Sequence, residues 1–395
     1  MKPKLLVIST RVPFPLFGGD RIRLFNACKA LTRSFDVDLL ALSEERVETE
    51  SLKALAEIGV KVKIFEISSL RHRFSALRGI FSTLPIQVNY YYFRSVQRWI
   101  DENIERYDTV LCNHIRSAEY IRNKPIPKVI DLVDAISLNY SRAKKYTSGI
   151  WKWIYRIEDS RVLRYETEIV PSFDRAVIVS EVDKTFLVDN NVDSTKVVVI
   201  PVAVDANLLN KNSLGECEWI VFLGKMDYAS NADAASYFAK DVFPHIRYQY
   251  PGVEFLIVGA NPNNKIKKLS LDFNAKVTGK VEDHLEYLLK AKVVVAPMRF
   301  GAGMQTKIIE AMALGKTVVT TTIGAEGIDG VDGTHFFIAD TAQDFSNKVL
   351  MLLHNDQLRV RVGNQARELV RRKYTWDVVG KSFIEVMEQT LQKNN

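Results

Sequence analysis

Apolar residues in this chain come in short dense bursts separated by longer amphipathic stretches. The first burst is "KLLVIST" (4–10), followed by a Pro/Gly loop, "RVPFPLFGGDR", and then by helical spacing from about Ile22 to Thr32. Further bursts stand at "DVDLLALS" (36–43), "DTVLCNH" (108–114), "PKVIDLV" (127–133) and "RAVIVS" (175–180). The pattern restarts at "EWIVFLG" (218–224) and continues through "VEFLIVG" (253–259), "AKVTG" (275–279), "KVVVAP" (292–297) and "KTVVTT" (316–321). Near-continuous Val/Ile/Leu runs alternating with helical stretches predict parallel strands covered on both faces, so the fold class is α/β. The polar, irregular segment "VDANLLNKNSLGECE" (204–218) separates the two series. The expected layout is a Rossmann-like domain over 1–203 and a second over 204–373. A final helix over 374–395 is expected to pack back on the first domain. Two such domains facing each other place the default ligand site in the cleft between them.

Composition narrows the class. A chain of 395 residues suits two domains of roughly 150–200 residues each. Its 47% hydrophobic and 26% charged residues are those of a globular protein, neither disordered nor fibrous. Cys28, Cys112 and Cys217 lie far apart without metal-type spacing, and they read as reduced thiols of a cytoplasmic protein. The opening "MKPKLLVIST" meets polar residues at once, so no signal peptide is expected. No apolar run approaches the roughly 20 residues that span a bilayer.

The formal charge of +7 is unevenly placed: residues 1–200 hold 31 Lys and Arg against 25 Asp and Glu. Within that half, residues 67–100 carry five arginines and no acid, interleaved with Phe, Ile, Leu, Tyr and Trp. "RAKKYTSGIWKWIYR" (142–156) repeats the theme. Such a mixture suits an anionic membrane surface. Nucleic acid would also suit it, but no RNA- or DNA-binding motif accompanies it, and nucleic acid is not expected as a partner.

The most informative stretch is "RFGAGMQTKIIEAMALG" (299–315). A parallel strand that ends in glycines and enters a helix presents backbone N–H groups at the positive end of the helix dipole, which favours phosphate. Gly301 and Gly303 permit close backbone approach, with Ala302, Met304, Gln305 and Thr306 completing the turn. Lys307 and Glu310 are three apart and share a helix face. Lysine reaches a phosphate oxygen, and the carboxylate accepts from two ribose hydroxyls, which together fit a sugar nucleotide. The spacing is neither a Walker loop nor a dinucleotide fingerprint, since Thr306 stands where the third glycine belongs. A plain surface Lys–Glu pair is the competing reading.

"GAGMQTKIIEAMALGKTVVTT" resembles the donor-site signature of GT-B glycosyltransferases, in particular the large retaining family 4. The likeness continues through "GAEGI" (324–328), "FLGKMDY" (222–228), "IPVAVD" (200–205) and the Gly18-Gly19 loop. "DLVDAIS" (131–137) and "RYETEIVPSFDRAVIVSEVD" (164–183) resemble a subgroup tied to exopolysaccharide and protein-sorting gene clusters. The resemblance implies two Rossmann-like domains and a retaining transfer of sugar from a nucleoside-diphosphate donor to a lipid-linked or glycan hydroxyl. It implies no metal or other cofactor, and a cytoplasmic protein, peripheral on the inner face of the membrane.

The resemblance also implies roles. Glu310 binds the donor ribose, and the amides of residues 301–306 hold the diphosphate. Lys225, after Gly224, neutralises charge growing on the leaving diphosphate. Relatives commonly carry a second lysine five or six residues later. Ser230 and Asn231 stand there in this chain, so Lys307 takes over that charge. The first glutamate of the usual pair is replaced by Ala302, which leaves the contact to the transferred sugar to the Gly301–Gln305 backbone and Gln305. Gly259, Asn261 and Val281 are expected near the base, although Gly259 could equally cap its strand. Gly18 and Gly19 either let their loop approach the diphosphate or the acceptor, or form an ordinary turn. Asp134 stands where many relatives have a histidine; it could orient a sugar hydroxyl, take the acceptor's proton, or pair with an arginine. His114 ends a strand and is either catalytic or structural. A sugar-nucleotide epimerase and a non-catalytic nucleotide-sugar sensor are the rival functions. A dinucleotide oxidoreductase is disfavoured by the missing glycine fingerprint.

Overall fold

β-Branched and aliphatic bursts become buried strands wherever helices cover both faces, and the two series fold as two separate sheets. The structure, a computed structural model, describes residues 1–16, 18–80, 82–146, 150–211 and 215–394. Residues 147–149 of the second basic-aromatic stretch therefore lie outside the described residues. The chain forms two compact units, one of residues 1–202 with 376–395 and one of residues 203–375.

Among the described residues the first unit holds seven strands: β1 (Lys4–Ser9), β2 (Asp36–Ser43), β3 (Lys61–Glu66), β4 (Thr109–Asn113), β5 (Lys128–Val133), β6 (Arg175–Ile178) and β7 (Val197–Val199). They are ordered β3-β2-β1-β4-β5-β6-β7 and every pair is parallel. The central strands β1 and β4 are buried almost throughout, whereas the edge strand β3 is buried nowhere. Strand order reverses between β1 and β4. In doubly wound sheets ligands gather at the carboxyl ends of strands at such a point.

The helix Trp376–Asn394 belongs to this unit and packs on the helix Gly19–Leu31. A Cβ on Gly380 would lie 2.8 Å from Ala30 Cβ, so the two backbones meet closely. Beneath them Arg23 is buried. It donates to both oxygens of Asp131 and to the carbonyls of Ile200 and Pro201, and it covers the Phe383 ring at 4.9 Å. A buried guanidinium is tolerable only when its donors are met in this way.

The second unit holds β8 (Trp219–Leu223), β9 (Glu254–Val258), β10 (Lys276–Gly279), β11 (Val293–Ala296), β12 (Val318–Thr320) and β13 (Phe337–Ile338). Their order is β10-β9-β8-β11-β12-β13, again parallel, and it reverses between β8 and β11. Phe222, Phe238, Phe243, Phe255 and Phe345 fill the core on one side.

Candidate functional site

In the second unit the reversal between β8 and β11 puts two loops side by side. One is Gly224–Tyr228 after β8; the other is the glycine-containing loop after β11 that enters the helix Thr306–Ala313. The second loop is held from beneath, because Thr320 Oγ1 donates to the Ala296 carbonyl and Thr321 Oγ1 to that of Met298. Arg299 fixes its flank through a 2.6 Å ion pair with Asp233. Gly301 and Gly303 take φ of 142° and 70°, conformations that disfavour any side chain. The nearest atom to a Cβ built on Gly301 is Gln305 Nε2 at 3.9 Å, an ordinary van der Waals distance, so no atom crowds this backbone.

Lys307 enters this arrangement from the first turn of the helix. Its ammonium donates to Asn231 Oδ1, lies 3.7 Å from Met298 Sδ and sits 5.0 Å above the Phe222 ring. Asn231 is itself clamped: its Nδ2 donates to the Lys225 carbonyl at 2.9 Å, and a Cβ on Gly224 would strike its amide at 2.8 Å. Burial lowers the Lys307 pKa to about 7, and the Glu310 carboxylate offsets only part of that. An ammonium kept this way regains its proton affinity when an anion arrives.

Glu310, one turn further along, keeps its side chain 16% exposed and faces His284 Nε2 at 3.5 Å. Their hydrogen bond raises the His284 pKa against the effect of burial. His284 starts the helix His284–Lys290, three residues after partly buried Val281. The loop after β10 thus brings the expected base-side region to the carboxylate. Lys225 lies 3.1 Å from Asp227 Oδ2 and 5.4 Å from the Tyr228 ring centroid. Asn261, at φ 57°, donates to the same Asp227 carboxylate. Gly259 is required by packing: at φ 148° its Cβ would fall 1.9 Å from the Gly224 carbonyl oxygen. Residues 224, 225, 231, 259, 261, 301–307 and 310 therefore surround two adjoining loops. Asn231, Asp227 and His284 are members that spacing along the chain did not reveal.

In the first unit the reversal between β1 and β4 gathers a second polar cluster. Gly18, at φ 95°, precedes the helix Gly19–Leu31, and Arg11 in the same loop pairs with Asp20 at 2.8 Å. His114 follows β4 at φ 64°. Its ring is buried, and among the described residues neither ring nitrogen has a hydrogen-bond partner. Burial and the neighbouring Arg116 lower its pKa to about 3, so the imidazole is neutral and a poor base. Asp134 behaves in the opposite sense: burial, helped by the charge of Asp183, raises its carboxyl to about 7 although Arg116 opposes. A carboxyl that titrates near neutrality is the better proton acceptor of the two. Glu166 completes the floor by accepting from the amides of Ile136 and Ser137, and burial lifts it to about 8. Arg11, Asp20 and Arg116 were not singled out by sequence, although "RVPFPLFGGDRIR" contains two of them.

With this geometry in view, the likenesses become specific. Two parallel sheets of seven and six strands with this topology make the GT-B fold. Anabaena HepE, crystallised with UDP and glucose, shares it at TM-score 0.68 and 14% identity, over 98% of this chain and 99% of that one. Residues 217–355 carry a domain that matches the family model Glycosyl transferases group 1. An uncharacterised 44.6 kDa protein of the Klebsiella pneumoniae cps region is 25% identical over 94% of this chain and 96% of its own length. Phosphatidyl-myo-inositol mannosyltransferase of Mycolicibacterium smegmatis is 29% identical over 43% of this chain and 44% of its own.

Proposed function

We propose that the protein is a glycosyltransferase that moves a sugar, with retention, from a nucleoside-diphosphate donor to the hydroxyl of a lipid-linked or polysaccharide intermediate of cell-surface glycan synthesis. The observation that carries this reading is the convergence of Lys307, Glu310 and the Gly301–Gln305 backbone on one loop-helix junction. The group 1 domain, the UDP bound by HepE and the cps-region relative support it. In this account Lys225, Lys307 and the first-turn amides, rather than a metal, stabilise the departing diphosphate. Glu310 holds the ribose, and Asp134 orients a hydroxyl or receives its proton. The protein would work in the cytoplasm against the membrane's inner face.

The test is calorimetric titration of UDP, GDP and ADP, followed by assay of the matching nucleotide sugars. One nucleotide should bind, and Glu310→Ala should weaken it by about tenfold or more, the loss of one or two charge-assisted hydrogen bonds. Unchanged affinity and turnover would remove Glu310 from the site. Binding without turnover of any donor would favour a nucleotide-sugar sensor.

A further inference from the structure

The helix Ser69–Ile80 is built inside out. Its inner face carries His72, Ser75 and Gly79 rather than leucines. His72 is fully buried, with Nδ1 2.9 Å from the Tyr90 carbonyl and its ring stacked on Tyr90 at 4.7 Å. Ser75 donates to the Asn89 carbonyl, and a Cβ on Gly79 would come within 3.0 Å of Asn89. Among the described side chains the large apolar ones point the other way: Leu70, Phe74 and Leu77 are 64%, 67% and 56% exposed. At 3.6 residues per turn they fall within about 60° of arc, with Arg71 to one side and Arg73 to the other. Both arginines are exposed. Glu44 reaches only the helix's first residue, where it accepts from the Ser69 and Tyr90 hydroxyls.

Helices normally bury their apolar stripe, and a bare stripe rimmed by one sign of charge marks a docking face. Charge selects the occupant. A second copy docking by the same face would set arginine rows against each other, because a two-fold contact is self-complementary. An anionic bilayer meets both demands: its acyl boundary takes Leu70, Phe74 and Leu77, and its phosphates take the guanidiniums. We propose that the helix Ser69–Ile80 docks the protein peripherally on anionic membrane through this outward face. The proposal does not depend on the donor-site reading, since the helix lies in the first unit and Lys307 and Glu310 in the second.

The experiment is flotation of the full chain with phosphatidylcholine vesicles, with and without one-third phosphatidylglycerol, at low and high salt. The protein should float with the anionic vesicles and lose most of that binding at high salt. Leu70→Ser/Phe74→Ser/Leu77→Ser should partition at least about tenfold less, and each of Arg71→Gln and Arg73→Gln about fivefold less. These positions are exposed, so thermal unfolding and nucleotide binding should stay at parental values. Equal flotation of parent and triple variant, or salt-insensitive binding to neutral vesicles, overturns the proposal. So does a concentration-dependent dimer, seen by sedimentation, that the triple variant abolishes; that result assigns the face to a second copy.

Discussion

Lys307 is the residue on which the proposed chemistry turns. Held by a neutral amide, a thioether and an aromatic face, it has no carboxylate in direct contact among the described residues, and its pKa falls to about 7. The unfolded chain keeps that proton up to about 10.4, so the unfolded state binds more protons above neutrality and stability rises with pH across this window. A bound diphosphate does the reverse and restores the proton. Nucleoside diphosphate binding should therefore take up a proton above pH 7, and its affinity should fall by up to about tenfold per pH unit there. Calorimetry in buffers of different ionisation enthalpy reads the uptake, and Lys307→Met should abolish it; the same uptake in that variant would assign the proton elsewhere. The sequence made Lys307 and Glu310 legible because they sit one helical turn apart. Asn231, Asp227 and His284 were opaque because their roles arise from contacts across 76, 34 and 26 positions of chain.

Among the elements, most strands that sequence revealed are buried almost throughout, although edge strand β10, read from "AKVTG", is half-buried at best. Edge strand β3 was missed because "KVKIFE" alternates charge with apolar residues, and the edge strands β7 and β13, of three and two residues, were missed as well. The stretch 67–100 was legible as basic and aromatic, but only the folded helix shows that its leucines point outward. The β8 and β9 ends illustrate how an element shapes the site. Gly259 cannot bear a side chain without displacing the Gly224 carbonyl, which belongs to the loop that carries Lys225. Gly259→Ala should cost about 2–4 kcal/mol of stability, read by denaturant unfolding, and should weaken nucleotide binding. Gly252→Ala, with nothing within 4 Å, should stay within about 0.5 kcal/mol of the parent. Equal effects at the two positions would contradict the packing argument.

For the whole molecule, division of labour follows chain order with one exception. The chain leaves the first unit at Val202, builds the second, and returns at Trp376 to close on the helix Gly19–Leu31. Net positive charge gathers in the first 200 residues, where the outward helix is, while the lysine-glutamate junction lies in the second unit. Each sheet presents its polar cluster at its own reversal of strand order. The claim that unites these observations is that a nucleotide sugar binds at the junction of β11 and its helix. The most direct measurement is a crystal structure of the protein with the nucleoside diphosphate that binds it. The account predicts phosphate oxygens against the 301–305 backbone and Lys307, with ribose hydroxyls on Glu310 and the His284 contact displaced. A nucleotide held elsewhere, with the Glu310–His284 contact intact, would contradict it.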